Sequence, residues 1–184
     1  MHFTLGELLL DLVQNAANAD AEAIQVKWRE GGGRFTLTVV DDGNGMPPEV
    51  VRVATDPFQT DGRTHPGRKI GLGLAFLRQT AETTGGAFGL RSRLNQGTTV
   101  ELECPADHVD LPPAGDRAET FALVLCTEGP REIEIVRERE SGSYRLRKSE
   151  LEEVLGELSS VLGRRLLREY VRSQEDWYGE DDTG

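Results

Sequence analysis

The chain has 184 residues, 6% of them aromatic, and a formal net charge of −11, of which residues 1–105 carry −3 and the remainder −8. Its longest apolar run is the short Leu8-Leu9-Leu10 cluster, no signal-peptide pattern opens it, and Cys104 and Cys126 stand in no metal-ligand spacing. A membrane span, a disulfide framework and a zinc site are therefore excluded, a cytoplasmic protein is expected, and the acidic balance disfavours nucleic acid, whose binding rests on Lys and Arg neutralising phosphates.

Residues 4–19 predict a helix. Thr4 followed by Glu7 fits a capping box, and Leu8, Leu9, Leu12, Val13, Ala16 and Ala17 gather on one face at about 100° per residue. Glu7, Asp11, Asn15 and Asn18 form a polar stripe along another edge. Residues 24–28 and 35–40 alternate as two half-buried strands joined by a glycine turn. Asp42-Gly43-Asn44-Gly45 breaks the second strand, and a short helix is expected over 48–55. A polar loop over 56–69 has no periodicity. An amphipathic helix follows over 72–84, stopped by Gly85-Gly86. Residues 88–93 and 98–104 read as a hairpin around Asn95-Gln96-Gly97.

A Pro- and Asp-containing linker covers 106–117. Beyond it, a helix is expected over 118–127, strands over 132–138 and 144–147, and two helices from Ser149, with Ser149 and Glu152 as a second capping box. Leu151, Leu155, Leu158, Leu162 and Leu166 read as core. The acidic residues 175–184 are expected to form a disordered tail.

Three features carry chemistry. The helix stripe places a carboxylate beside two amides whose oxygens are hard ligands suited to magnesium, and a carboxylate there can take a proton. At the end of the second strand, Asp41 precedes Gly-x-Gly, where a carboxylate can accept from an exocyclic amine while the backbone turns closely round a ligand. Gly71-Leu72-Gly73-Leu74 opens a helix whose amides could approach phosphates, with Arg63, Arg68 and Lys69 just before it. It is neither a P-loop nor a dinucleotide fingerprint.

In this order and spacing, ELLLDLVQNAANADAEAI resembles the N-box of the GHKL ATPases, DDGNGMP their adenine-binding box and GLGL their second glycine box. The superfamily includes histidine kinases, MutL proteins, type II topoisomerases and heat-shock chaperone ATPases, and the resemblance covers about residues 4–105. It implies a Bergerat-type two-layer α/β sandwich, a mixed sheet covered by helices on one face. The ATP-binding domain would span 1–105, and a small α+β C-terminal appendage 118–174.

The resemblance also implies roles. Asn15 would bind magnesium with Asn18 as a helper. Asp41 would bind adenine, supported by Thr98, with Gly43, Gly45 and Met46 shaping the base pocket. Gly71, Leu72, Gly73, Arg63, Arg68 and Lys69 would face the phosphates of ATP. Asp11, four residues before Asn15, stands where the ATPases and serine kinases of the superfamily carry a Glu base and typical histidine kinases an Asn; it is one methylene shorter than Glu, and Glu7 is the fallback.

His2, His65 and His108 lie in no helical hairpin, so an ordinary sensor kinase with its own acceptor is not expected. The tail resembles a small group of stand-alone bacterial ATP-binding proteins. Three functions stay open: a kinase acting on a separate protein partner, an ATP-driven switch, which could be a homodimer, and a non-catalytic ATP/ADP-sensing module.

Overall fold

The computed structural model describes residues 4–54 and 73–177. Helix α1 (Leu5–Asn18) opens the fold through the expected capping box: the Glu7 amide donates to Thr4 Oγ1 at 3.1 Å, and the Thr4 amide donates to Glu7 Oε2 at 2.8 Å. Leu8, Leu9, Leu12, Val13 and Ala16 are buried on one side, as their spacing requires.

Strands β1 (Ala23–Gly31) and β2 (Arg34–Asp41) form a hairpin turned by Gly32 and Gly33, both at positive φ. The short helix α2 (Pro48–Ala54) follows. After the break in the described residues come helix α3 (Gly73–Thr84) and the hairpin of β3 (Ala87–Arg93) and β4 (Gly97–Pro105). Helix α4 (Arg117–Leu125), strands β5 (Glu132–Arg139) and β6 (Gly142–Arg147), and helices α5 (Lys148–Leu155) and α6 (Val161–Trp177) complete the chain.

All six strands make one sheet in the order β3-β4-β2-β1-β5-β6. Only the β1–β5 pairing is parallel, so the sheet is mixed. Residues after Pro105 therefore extend the sheet itself.

Alternation puts Ile24, Val26, Trp28, Phe35, Leu37, Val39, Leu102, Ile133 and Ile135 on the face covered by helices. Trp28 packs edge-on against Phe35 and Phe121 of α4, with ring centroids 5.1 and 5.7 Å away. The opposite face carries ion pairs between strands, such as Lys27–Glu138, Arg34–Glu103 and Arg91–Glu101. This is the two-layer sandwich, helices on one side and water on the other.

Three local expectations are corrected. Helix α5 is not capped by Ser149 and Glu152: its N-cap is Arg147, and Glu132 of β5 accepts from both the Ser149 amide and hydroxyl. A carboxylate supplied by the neighbouring strand satisfies the helix start more fully than a hydroxyl from within it. The acidic tail does not begin at residue 175, because Glu175, Asp176 and Trp177 belong to α6 and Glu175 is buried among arginines. Leu162 is 65% exposed and thus not core, whereas Leu151 and Leu158 are buried. Among the described residues no helix is long and apolar enough to cross a membrane.

Candidate functional site

Helix α1 presents Asp11 and Asn15 one turn apart, both half-buried, and Asn15 Nδ2 donates to Asp11 Oδ2 at 3.0 Å. The amide is thereby oriented with its Oδ1 as the remaining acceptor. Gly73, first residue of α3, lies so close that a Cβ there would overlap the Asp11 carboxylate. The N-box and the second glycine box thus meet at one point, where a side chain at residue 73 would push the Asp11 carboxylate aside. Helix α3 starts against a negative charge, the favourable partner for its dipole.

The other sequence-predicted residues of α1 behave differently. Asn18 is exposed and accepts from Gln14 Nε2 at 3.2 Å. Glu7 is exposed and held in the helix cap.

At the end of β2, two adjacent carboxylates have separate tasks. Asp42 Oδ1 accepts from the Glu22 and Ala23 amides at 2.8 and 2.9 Å, tying down the start of β1. Asp41 is half-buried, and its Oδ1 accepts from the Gly43 amide at 2.9 Å. Burial raises the Asp41 carboxyl above the ordinary aspartate range, and the Asp42 charge adds to this. The Gly43 and Thr98 backbone amides pull the other way and only partly offset it. Such a carboxylate, short of solvation, favours a hydrogen-bond donor brought by a ligand.

The turn after Asp41 is packed without slack. A side chain at Gly43 would press on the Ala19 carbonyl, and the Asn44 amide donates to that same carbonyl at 2.7 Å. Gly45, at φ 59°, and Gly97, at φ 89°, have backbone where a Cβ would run into Arg93 O and Asp41 O respectively. Thr98 is the register partner of Asp41 across β2 and β4, so the sheet itself brings those two together.

Sequence reasoning missed Ser92. Its hydroxyl accepts from the Met46 amide at 2.8 Å, lies 2.9 Å from Thr98 Oγ1 and donates to Gly97 O at 3.1 Å. It ties β3, β4 and the glycine turn together. The only available signal was its place opposite Thr98 in the hairpin, which requires the register to be known. Arg63, Arg68, Lys69, Gly71 and Leu72 lie outside the described residues, as does His65.

Among the described residues no three His, Cys, Asp or Glu side chains cluster as a metal cage. The donor set at Asn15 suits a different kind of site: one hard amide oxygen beside a carboxylate matches magnesium, which keeps most of its waters and takes phosphate oxygens from its substrate.

Residues 3–108 match the family model of histidine kinase-, DNA gyrase B- and HSP90-like ATPases. The chain belongs to this family. It is 35% identical over 104 residues to the histidine protein kinase DivJ of Caulobacter vibrioides, covering 55% of this chain and 17% of DivJ. It is 34% identical over 137 residues to the DNA mismatch repair protein MutL of Thermus aquaticus, covering 64% and 24%. The chain thus spans less than a quarter of the length of either relative. The nucleotide-free catalytic domain of histidine kinase ThkA is 26% identical, with a TM-score of 0.42 over 54% of this chain and 64% of that one. The chain therefore has a histidine-kinase-like GHKL ATPase domain, whose family membership implies ATP as its nucleotide.

Proposed function

We propose that the chain is a regulatory protein that binds magnesium-ATP between α1 and the β2–β4 edge and passes its γ-phosphoryl group to an oxygen outside the nucleotide. The observation that carries this reading is the Asp11–Asn15 hydrogen bond at 3.0 Å beside Gly73. It sets a proton acceptor next to a hard oxygen ligand at the start of α3.

In this reading Asp41 accepts from the adenine amine, and Thr98 steadies it. Gly43, Gly45 and Met46 line the base. Asn15 Oδ1 holds the magnesium ion, which would neutralise phosphate charge; Asn18 lies one turn further along. Gly71, Leu72 and Gly73 present amides to the phosphates, with Arg63, Arg68 and Lys69 adding positive charge. Asp11 takes the proton from the attacking oxygen as that oxygen bonds to the γ-phosphorus and ADP departs. Attack by a hydroxyl of a separate protein makes the chain a kinase, and attack by water makes it an ATP-driven switch.

One observation favours a second reading, a non-catalytic ATP/ADP sensor. Asp11 is shorter than Glu, and one of its oxygens is already engaged by Asn15. Turnover of ATP with magnesium, measured after nucleotide binding is confirmed, separates the two. Asp11→Asn should keep binding and lower turnover by about 10²–10⁴-fold, the usual contribution of a positioned base. Asn15→Ala should weaken magnesium-dependent binding. Tight binding without turnover, even with candidate partners present, would leave only the sensor.

A further inference from the structure

Helix α1 closes through a residue of unusual backbone. The Asp20 amide donates to Ala17 O at 3.0 Å and the Ala21 amide to Ala16 O at 3.2 Å, with Ala21 buried beneath. In this closure the chain turns off the helix through one left-handed residue, a place usually held by glycine. Here that residue is Asp20, at φ 58°. Aspartate adopts the conformation less readily than glycine, and its side chain reaches a partner outside the helix.

The partner is Asn44, in the turn after Asp41. Asn44 Nδ2 donates to Asp20 Oδ2 at 2.8 Å, and the Asn44 amide donates to Ala19 O at 2.7 Å. On its other side the Asn44 carbonyl accepts from the Asn95 amide at 2.7 Å, in the turn between β3 and β4. One residue thus joins the end of α1, the turn that carries Asp41 and the turn that leads to Thr98. The bond at Ala19 O sets the separation of helix end and turn. The second bond, at the next residue, sets the rotation about it. Asp20 is exposed, so this second bond contributes little to stability, and its consequence is geometric.

Asn15 lies one turn back from the junction, its carbonyl accepting from the Ala19 amide at 3.0 Å, and Asp41 lies three residues before Asn44. We propose that Asn44 is a positioning residue: through Asp20 it holds the Asn15 amide at the distance and angle from Asp41 that magnesium-ATP spans. The role rests on the reading of Asp41 as the adenine acceptor and Asn15 as the magnesium ligand. Asn44 acts through the backbone it ties, not by contact with the nucleotide. The magnesium end is the sensitive one, because that ion demands near-ideal octahedral geometry. The adenine end depends on the turn, whose backbone bonds survive a change of the Asn44 side chain.

Calorimetry of the full chain with ATP, once in EDTA and once with magnesium, tests this, the ratio of the two affinities being the magnesium gain. Asn44→Asp sets two carboxylates against each other. It should lower the gain about fivefold or more, the low end of coupling between two sites, with the affinity in EDTA little changed. Asp20→Gly removes the acceptor and gives the left-handed position its usual residue. It should lower the gain likewise, while the urea midpoint stays the same or rises, a combination that a merely structural clip would not produce. Asn44→Asp combined with Asp20→Asn exchanges donor and acceptor and should restore the gain. A gain kept in both single variants, or left low in the double variant, overturns the positioning role alone. A wild type that binds ATP equally well with and without magnesium overturns the reading of Asn15, and the positioning role with it.

Discussion

The chain buries charge in two places and by opposite means. At the site end, Asp11, Asn15 and Asp41 are half-buried, and among the described residues Asp11 has one side-chain donor and Asp41 has backbone amides. Under α6, by contrast, Glu175 receives Arg117, Arg137, Arg139 and the Tyr144 hydroxyl, while Glu30 takes Arg137 and the Trp28 indole at 2.7 and 2.8 Å. Among the described residues of that second cluster, Arg139 Nε is the one buried side-chain atom without an acceptor. Neighbouring groups already do there what water would do. Among the described residues the first set is held by few bonds, while the second holds the fold together.

The contrast fails first if the crowded cluster can lose its centre without harm. Glu175 is 9% exposed, so Glu175→Gln should cost about 3–5 kcal/mol in urea-induced unfolding, three arginines being left with one carboxylate between them. Burial alone would raise the Glu175 carboxyl. The Tyr144 hydrogen bond and the arginines outweigh it and hold the group below the usual glutamate value. A lowered carboxyl contributes stability that is present above about pH 4.5 and is lost as pH falls through the depressed value. Wild type should therefore lose stability on acidification in a window where Glu175→Gln, already short of that contribution, changes less.

Asp41 predicts the reverse. Its carboxyl is raised, so its favourable contribution to folding is present below about pH 3.8 and lost as pH rises through the raised value. At neutral pH the ionised group costs stability. Asp41→Asn should thus leave unfolding unchanged or shift it to higher urea, while ATP binding, followed by calorimetry, weakens by about 1.5–3 kcal/mol, the worth of a hydrogen bond to a charged group. Loss of stability in Asp41→Asn would place it with Glu175 and erase the distinction between the two regions.

The two regions also differ in how much of them was legible in the sequence. The site end is built locally: helix periodicity placed Asp11 and Asn15 on one edge of α1, and Asp-x-Gly-x-Gly placed Asp41 at a strand end. The meeting of Gly73 with Asp11 was not legible, because it depends on how α3 lies on α1. The second cluster was almost invisible. Its residues come from β1, α4, β5, β6 and α6, and the parallel pairing of β1 with β5 joins segments about a hundred residues apart with no local sign. Glu175 sits in a run that reads as a solvated tail. Its partners on other elements, Arg117, Arg137, Arg139 and Tyr144, decide that it is folded. The Ser149 cap failed for the same reason, since a carboxylate from β5 arrived first.

Ser92 sharpens the comparison with the smallest effect. It belongs to the site end by position and to the crowded cluster by behaviour, with Met46, Gly97 and Thr98 all within hydrogen-bond reach of its hydroxyl. Ser92→Ala would leave the half-buried Met46 amide without that acceptor, at a cost of about 1–3 kcal/mol. Because the serine fixes the turn that carries Gly45 and Met46, the same change should weaken nucleotide binding by a similar or smaller amount, and both are read from unfolding with and without ATP. An equal loss in the two measurements would mean that the turn is held rigid for the ligand. A loss confined to unfolding would mean that Ser92 serves the sheet alone and that ATP itself can order the turn.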